Sequence, residues 1–202
     1  MSRTTREEWN NGTIYRVHVD AAVTAPNNTV ANTFTVKLDI AQSELVGKVY
    51  IGVENYVLDK QLFDPAVTTQ LTDFANQNTV LIENWAKQTY LKMRSSNLPP
   101  DIDYETDVGR NTQCFARLPL KHEYLPKESG AKHPMNPRTV GDYTLHKDGI
   151  LYEMSNNPTA LSNGQITIQL LRLNDQLWDV NLLPIYNFSF TLVIYKPRNT
   201  YS

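Results

Sequence analysis

The sequence predicts an all-β protein, built as an antiparallel sandwich or barrel, on three observations. Apolar and polar residues alternate along most of the hydrophobic segments, which is the pattern of a strand with one buried face. No segment keeps apolar residues at helical spacing over three turns, and strands do not alternate with helices. The chain has 202 residues, of which 41% are hydrophobic and 8 are glycine, a composition that suits one well-buried domain. We therefore expect a single domain over residues 1–202, with 1–11 as a polar N-terminal arm.

The segment 164–198 holds the two clearest strands. In the first, Ile166, Ile168 and Leu170 share one parity while polar residues occupy the other. In the second, Phe188, Phe190, Leu192 and Ile194 share a parity in the same way. A polar turn at 174–176 lies between them, and Pro197 ends the second strand because proline has no N–H to donate to a ladder.

The remaining segments predict further strands and connections of unequal length. Gly52 is a candidate β-bulge. A short helical turn is expected at 66–74, and the proline-containing stretch 87–111 is predicted to be a long polar loop that is functional or contacts a partner. The predicted strands are 13–19, 33–40, 48–58, 79–85, 113–120, 139–145 and 149–154.

The apolar parity of these strands also predicts the core, because the facing layers of a sandwich are built from alternate positions. The predicted inter-sheet core consists of Phe34, Val36, Leu38, Val49, Ile51, Ile166, Ile168, Phe188, Phe190 and Leu192.

Charge and hydropathy argue against two classes of partner. A net charge of −2 provides no general attraction to nucleic acid or to an anionic membrane, so no specific nucleic-acid binding is expected. The polar N-terminal run and the lack of a long apolar stretch predict neither a signal peptide nor a membrane-spanning segment. We expect a chain made in the cytoplasm, where the sequons at Asn11, Asn27 and Asn187 would not be glycosylated.

Motifs for catalysis and metal binding are absent from the sequence. His18, His122, His133 and His146 show no zinc-type spacing, and only the neighbouring pair His122 and Glu123 resembles an acid–base pair. The His-x-His motif of metal-dependent cupins does not occur, nor do nucleophile-elbow or phosphate-loop motifs. The single cysteine, Cys114, lies in an apolar run and is expected to be a buried small hydrophobe. The sequence thus predicts a protein that is not an enzyme, with no catalytic, metal or cofactor-binding residues and no cofactor.

Two charged groups in the loops admit two interpretations each. The acidic residues Asp101, Asp103, Glu105 and Asp107 fit a solvated extended loop better than a calcium loop, whose turn residues are missing. The basic residues either keep the loops after Leu120 soluble or form a cationic rim facing an acidic partner or packaged DNA. These residues are Lys121, Lys127, Lys132, Arg138 and Lys147.

The segment from about Thr79 to Arg198 resembles the single jelly-roll capsid proteins of large icosahedral double-stranded DNA viruses and virophages, including their pentons. The resemblance is carried by strand patterns and not by catalytic motifs. These patterns are TVLIEN, NTQCFARLPL with its Arg-Leu-Pro-Leu strand end, ILYEM, ITIQLLRLNDQLWDV and the terminal FSFTLVIYKPR.

This resemblance implies a single jelly roll of about eight strands with long loops, acting as a structural protein of the virion. The chain is too short for the double jelly roll of a major capsid protein, and a single roll allows five-fold closure directly. The implied role is a penton protein that forms homopentamers at the vertices and contacts the major capsid protein and minor capsid proteins. The N-terminal arm would grip neighbouring subunits.

Two alternatives stay open at this point. A minor capsid or cement protein of the same fold would lie beneath or between the major capsomers. A lectin-like module would instead use exposed aromatic residues on loops to stack against sugars, with Trp85, Tyr90 and Tyr104 as the candidates.

Overall fold

The computed structural model is almost entirely β, as the sequence predicts, and it forms two antiparallel sheets around one core. One 3₁₀ turn, Gln42–Leu45, and a helical backbone at Asn84 and Trp85 are the helical parts of the described chain. The described residues are 12–21, 23–24, 29–45, 49–60, 84–85, 87–95, 103–104, 111–112, 114–120, 138–142, 152–154 and 164–198.

The first sheet consists of β1 (Gly12–Asp20), β5 (Val49–Lys60), β10 (Arg138–Asp142), β11 (Tyr152–Met154) and β13 (Ile185–Pro197). Its strand order is β1-β13-β5-β10, and β11 also pairs with β5. Every pairing in it is antiparallel. Because β10 pairs with residues 55–59 of β5 and β11 with residues 49–51, these two short strands follow one another along the same edge.

The second sheet consists of β4 (Thr33–Lys37), β6 (Tyr90–Ser95), β9 (Ala116–Pro119) and β12 (Gln165–Leu171). Its strand order is β4-β12-β6-β9, again with antiparallel pairing throughout. Two further hairpins pair two residues on each side: β2 (Val23–Thr24) with β3 (Thr29–Val30), and β7 (Asp103–Tyr104) with β8 (Asn111–Thr112).

The core lies between the two sheets and contains the residues that alternation predicted. Nine of the ten predicted core residues are buried. The tenth, Phe34, is partly buried and packs against this core, with its ring centroid 6.2 Å from that of Phe190 in the opposite sheet. Phe190 in turn stacks on Phe188 at 5.0 Å. The parity that the sequence predicts for these strands is therefore confirmed.

Three local predictions were wrong. Residues 90–95, placed in a loop, form β6, a central strand of the second sheet. Lys92 and Arg94 lie on the face of β6 that is turned away from the core, and these two basic residues gave the segment the composition of a loop. Asn84 and Trp85, expected to end a strand, have helical backbone instead.

The third concerns the bulge in β5, which is not at Gly52. Gly52 pairs in register with Val193, and the extra residue lies between Val53 and Tyr56, where the register with β13 shifts. The predicted helical turn at 66–74 and the N-terminal arm 1–11 lie outside the described residues.

Candidate functional site

The two ends of the sandwich differ. The described connecting segments 84–85, 87–89 and 172–184 lie at one of them. Asp20 of β1 pairs with Ser189 near this end, whereas Gly12 pairs with Pro197 at the other. The strands β12 and β9 also end at this end, and β6 and β13 begin there. We call residues 84–85, 87–89 and 172–184, with the adjoining strand ends, the loop end.

Two buried tryptophans form the base of the loop end. The rings of Trp85 and Trp178 lie 5.4 Å apart, and neither side chain is exposed. Trp178 Nε1 donates to the carbonyl of Leu183 at 2.7 Å, which ties the base to the 172–184 segment. Lys60, at the end of β5, places its Nζ 5.7 Å from the centroid of the Trp85 ring, within cation–π range.

Backbone hydrogen bonds fix segment 172–184 against the second sheet. Trp178 N donates to Leu170 O at 2.8 Å, and Asn32 Nδ2 donates to Trp178 O at 3.0 Å. Within the tight turn, Arg172 N donates to Gln176 O at 2.8 Å. Asp175 takes a positive φ of 66° there, a conformation that Asp and Asn adopt more readily than most residues. The turn is therefore held in one conformation by main-chain bonds.

A buried ion pair anchors the same turn to the outer face of the second sheet. Lys92 Nζ lies 2.9 Å from Asp175 Oδ1, and the side chain of Lys92 is 1% exposed. Two residues further along β6, the Arg94 guanidinium donates through Nε and Nη2 to Gln169 Oε1 at 3.0 and 2.7 Å. These polar contacts explain how a strand with two basic residues lies in the middle of the sheet.

Large apolar side chains are exposed at the loop end. Three leucines project from the 172–184 segment, and three further exposed residues adjoin it in the strands and connections that meet there. They are Leu173, Leu177, Leu182, Val23, Tyr90 and Tyr186. In the described part of the chain, every large hydrophobic residue in the exposed class lies at this end. Apolar residues gathered on one surface are typical of a protein–protein contact.

One of the three aromatic candidates for sugar stacking, Trp85, is not exposed as the lectin alternative requires. Trp85, expected to be exposed, is 0% exposed and packs on Trp178. Tyr90 is 41% exposed at the start of β6. Tyr104 lies in the two-residue strand β7, and its side chain is outside the described part of the structure. The expectation that Trp85 is exposed was wrong, because its ring is buried against that of Trp178.

Cys114 is buried, as predicted. Burial raises the pKa of its thiol to about 12. Since the thiolate is the nucleophilic form, this cysteine is an inert core residue at neutral pH.

The other sequence candidates are dispersed or undescribed. His18 is exposed on β1, with Nε2 3.7 Å from Asp20 Oδ1, and Asn187 is exposed on β13. Arg138 and Asp103 lie in short strands whose side chains are not described. The remaining histidines, acidic and basic loop residues and sequons lie outside the described ranges. Over those ranges, no three His, Cys, Asp or Glu side chains form a group that could hold a metal ion.

No protein-family model matches the chain, and no curated protein matches it. Among the residues that the structure describes, no helix is long and apolar enough to cross a membrane.

Proposed function

We propose that this chain is a single jelly-roll capsid protein that forms homopentamers at the five-fold vertices of an icosahedral double-stranded DNA virus. The observation that carries the proposal is the strand pairing. We set aside the two-residue hairpins and count β10 and β11 as one interrupted strand. The described residues then contain eight strands, from the first, β1, to the eighth, β13.

These eight strands pair first with eighth, second with seventh, third with sixth and fourth with fifth. The four pairs are β1 with β13, β4 with β12, β5 with β10 and β11, and β6 with β9. Such a scheme describes one long antiparallel hairpin whose four strand pairs are rolled into two sheets, which is the plan of a jelly roll. Within each sheet, one further pairing joins two of these strand pairs side by side. It is β13 with β5 in the first sheet and β12 with β6 in the second.

The capsid role is supported by the sequence resemblance over 79–198 and by the exposed apolar residues at the loop end. A protein that acts by assembly needs contact surface, whereas an enzyme needs a group of converging polar side chains. Leu173, Leu177 and Leu182 present such a contact surface on a segment that backbone hydrogen bonds tie to the second sheet. A closed ring of five copies joins two different surfaces of each subunit in a head-to-tail manner.

The proposed partners are four further copies of the chain, the major capsid protein and minor capsid proteins, and the proposed location is the shell of the virion. No chemistry on a substrate is part of this role, and no cofactor is required. Synthesis in the cytoplasm of the host would precede incorporation into the shell.

The test is to locate the chain in purified particles by cryo-electron microscopy and to count its copies. Rings of five at the vertices alone are the expected result. Copies beneath or between the major capsomers would instead make it a minor capsid or cement protein. A chain absent from particles that binds a defined sugar on a glycan array, or turns over a substrate, would overturn the structural role.

A second experiment tests whether the loop end is the contact surface. The double variant Leu177→Asp/Leu182→Asp is expected to lower incorporation into particles at least tenfold, because it places two charges in an apolar contact. Thr35→Asp, on the exposed outer face of β4, is the matched control and should incorporate normally. Equal incorporation of both variants, with unchanged thermal stability, would exclude the loop end from the contacts.

A further inference from the structure

The first strand, β1, forms an edge of the first sheet and is paired on one side alone among the described residues. Its register with β13 runs without interruption from Gly12 to Asp20. Just beyond the strand, Ala21 N donates to Phe188 O at 2.9 Å. Because these two residues continue the same register, odd-numbered residues of β1 are those that exchange hydrogen bonds with β13.

The even-numbered residues therefore turn their N–H and C=O groups away from β13, toward the open edge. These are the main-chain groups of Ile14, Arg16, His18 and Asp20. No described strand pairs with this side of β1. At about 3.3 Å per residue, the edge runs for roughly 30 Å. It is a row of regularly spaced donors and acceptors of the kind that accepts another strand.

The other described edges are short, interrupted or ended by proline, and β1 is longer and continuous. On the far edge of the first sheet, β10 and β11 have five and three residues and are separated along the chain. In the second sheet β4 has five residues, and β9 has four and ends at Pro119. Short strands, breaks and proline are the usual protections of an edge. With nine residues, no proline and no bulge, β1 has none of them.

We propose that a second copy of this chain adds to this edge, β1 against β1 and antiparallel, about a two-fold axis at His18. Opposite-charge pairs determine this register. When the two His18 residues face one another, Arg16 of each copy lies opposite Asp20 of the other copy, which gives two equivalent ion pairs. An axis at Arg16 would instead place the two Arg16 guanidinium groups opposite each other. Opposite charges across strands stabilise a sheet, and like charges destabilise it.

The side chains on β1 suit this contact. Arg16 uses Nε and Nη2 to bind Glu54 at 2.7 and 3.1 Å, and a guanidinium has five N–H donors, so others remain for an incoming carboxylate. The side chains of Arg16 and Asp20 are 48% and 74% exposed and therefore accessible. On the inner face the same register brings Val17 opposite Val19 of the partner, which continues the apolar layer across the contact.

This contact goes beyond the proposed function and does not depend on it. A two-fold contact joins the same surface of two copies, whereas the ring of five joins two different surfaces. The two contacts can therefore exist separately. Dimers test the edge, and rings of five test the capsid proposal.

The first experiment removes one outward N–H from the edge. His18→Pro leaves the ladder with β13 intact, because the N–H of an even-numbered residue does not bond to β13, and proline is tolerated at such edge positions. His18→Ala is the matched control, since it removes the side chain and keeps the N–H. By sedimentation velocity, the wild type and His18→Ala are expected to form dimers, and His18→Pro is expected to dissociate at least tenfold more readily.

The second experiment tests the register without disturbing the backbone. In the proposed contact the two His18 residues form a hydrogen-bonded pair about 5.5 Å apart between Cα atoms, within the range of about 4.4–6.8 Å that disulfides span. His18→Cys should therefore give a disulfide-linked dimer on mild oxidation, while Lys37→Cys, exposed on the edge strand β4, should not. Oxidised wild type, whose cysteine is the buried Cys114, is the background control and should give no linked dimer.

A monomeric wild type at 0.1 mM, or dimers that persist unchanged in His18→Pro, would overturn the proposal. So would cross-linking of Lys37→Cys as readily as His18→Cys. If rings of five form and His18→Pro leaves them intact, the capsid proposal stands independently of the edge.

Discussion

The ammonium group of Lys92 lies 2.9 Å from the carboxylate of Asp175, and this ion pair joins the middle of a sheet to the turn before the final strand. The lysine is 1% exposed and the aspartate 21%. Lys92 faces Arg117 on the neighbouring strand and Leu171 on the other side. The turn thus supplies the negative charge that balances a basic position within the sheet.

Replacing Lys92 should destabilise the protein by an amount that depends on the size of the new side chain. Lys92→Ala leaves both a cavity and an unbalanced carboxylate, and we expect a loss of about 2–4 kcal/mol of unfolding free energy, below the cost of breaking a fully buried pair because Asp175 still reaches water. Lys92→Met fills the same volume and should cost about 1–2 kcal/mol less. Urea denaturation of both variants checks this order, and a larger loss for Lys92→Met would show that the site does not accept an apolar side chain of this length. A loss below about 0.5 kcal/mol for both variants would show that the ion pair has little effect on the fold.

Phe190 should be among the costliest positions to truncate. It is fully buried and contacts Phe34 across the core and Phe188 along its own strand. We expect Phe190→Ala to cost about 3–5 kcal/mol in denaturant melts, the usual range for emptying an aromatic core site. Ser189→Ala, on the outer parity of the same strand, should change stability by less than about 0.5 kcal/mol. A loss under about 1 kcal/mol for Phe190→Ala would mean that the site collapses or that the side chain is not in the core.

The two buried tryptophans should respond differently to the same substitution. Trp178→Phe removes the donor that bonds to Leu183 O and leaves that carbonyl without it. Trp85 Nε1, by contrast, has no hydrogen-bond partner among the described residues. Losing a satisfied buried hydrogen bond costs about 1–3 kcal/mol, so Trp178→Phe should be more destabilising than Trp85→Phe by about 1–2 kcal/mol. Equal losses, measured by thermal or urea melts, would indicate that Trp85 Nε1 does have an acceptor.

The thiol of Cys114 should be protected in the folded protein. Because burial raises its pKa to about 12 from an ordinary value of 9.0, an aromatic disulfide reagent at pH 8 should label it in denaturant and not in buffer. Leu182→Cys, at an exposed position, provides a positive control that should react in buffer. Rapid labelling of Cys114 in the native wild type would contradict its burial.

The same raised pKa gives a pH dependence of stability. Between about pH 9 and pH 12 the unfolded chain loses the thiol proton and the folded chain keeps it, so the unfolded state binds fewer protons and stability falls as pH rises. In Cys114→Ala this contribution is absent. As pH increases through this window, the unfolding free energy of the wild type should therefore fall relative to that of Cys114→Ala. A difference between the two that stays constant with pH would contradict the raised pKa of Cys114.

The sequence predicted the fold class and the core well because both follow from strand parity. Residues 165–170 and 187–192 alternate without exception, and alternation is a local property. The strand β6 escaped prediction because Lys92 is balanced by Asp175, a residue far along the chain that no local pattern reveals. Trp85 was misplaced for a related reason, since its partner Trp178 lies in another connection.

The loop end itself could be anticipated in part. The turn at 174–176 was predicted from its residue types, and Leu173, Leu177 and Leu182 are visible in the sequence as apolar residues close to it. Their exposure was not predictable, because it depends on how that segment bonds to Leu170 and Asn32 in the second sheet. The open edge of β1 likewise depends on which strands become neighbours.

The pairing of β1 with β13 has a consequence for how the protein is made. The strand β1 finds its partner far along the sequence, from Gly12 with Pro197 to Asp20 with Ser189. At roughly 5–20 residues per second, about 8–35 s of translation separate the synthesis of these two strands. Throughout that interval the side of β1 that later bonds to β13 lacks this partner on the nascent chain. That row of main-chain donors and acceptors is a binding site for chaperones until β13 has been synthesised, and closure of the first sheet has to wait until then.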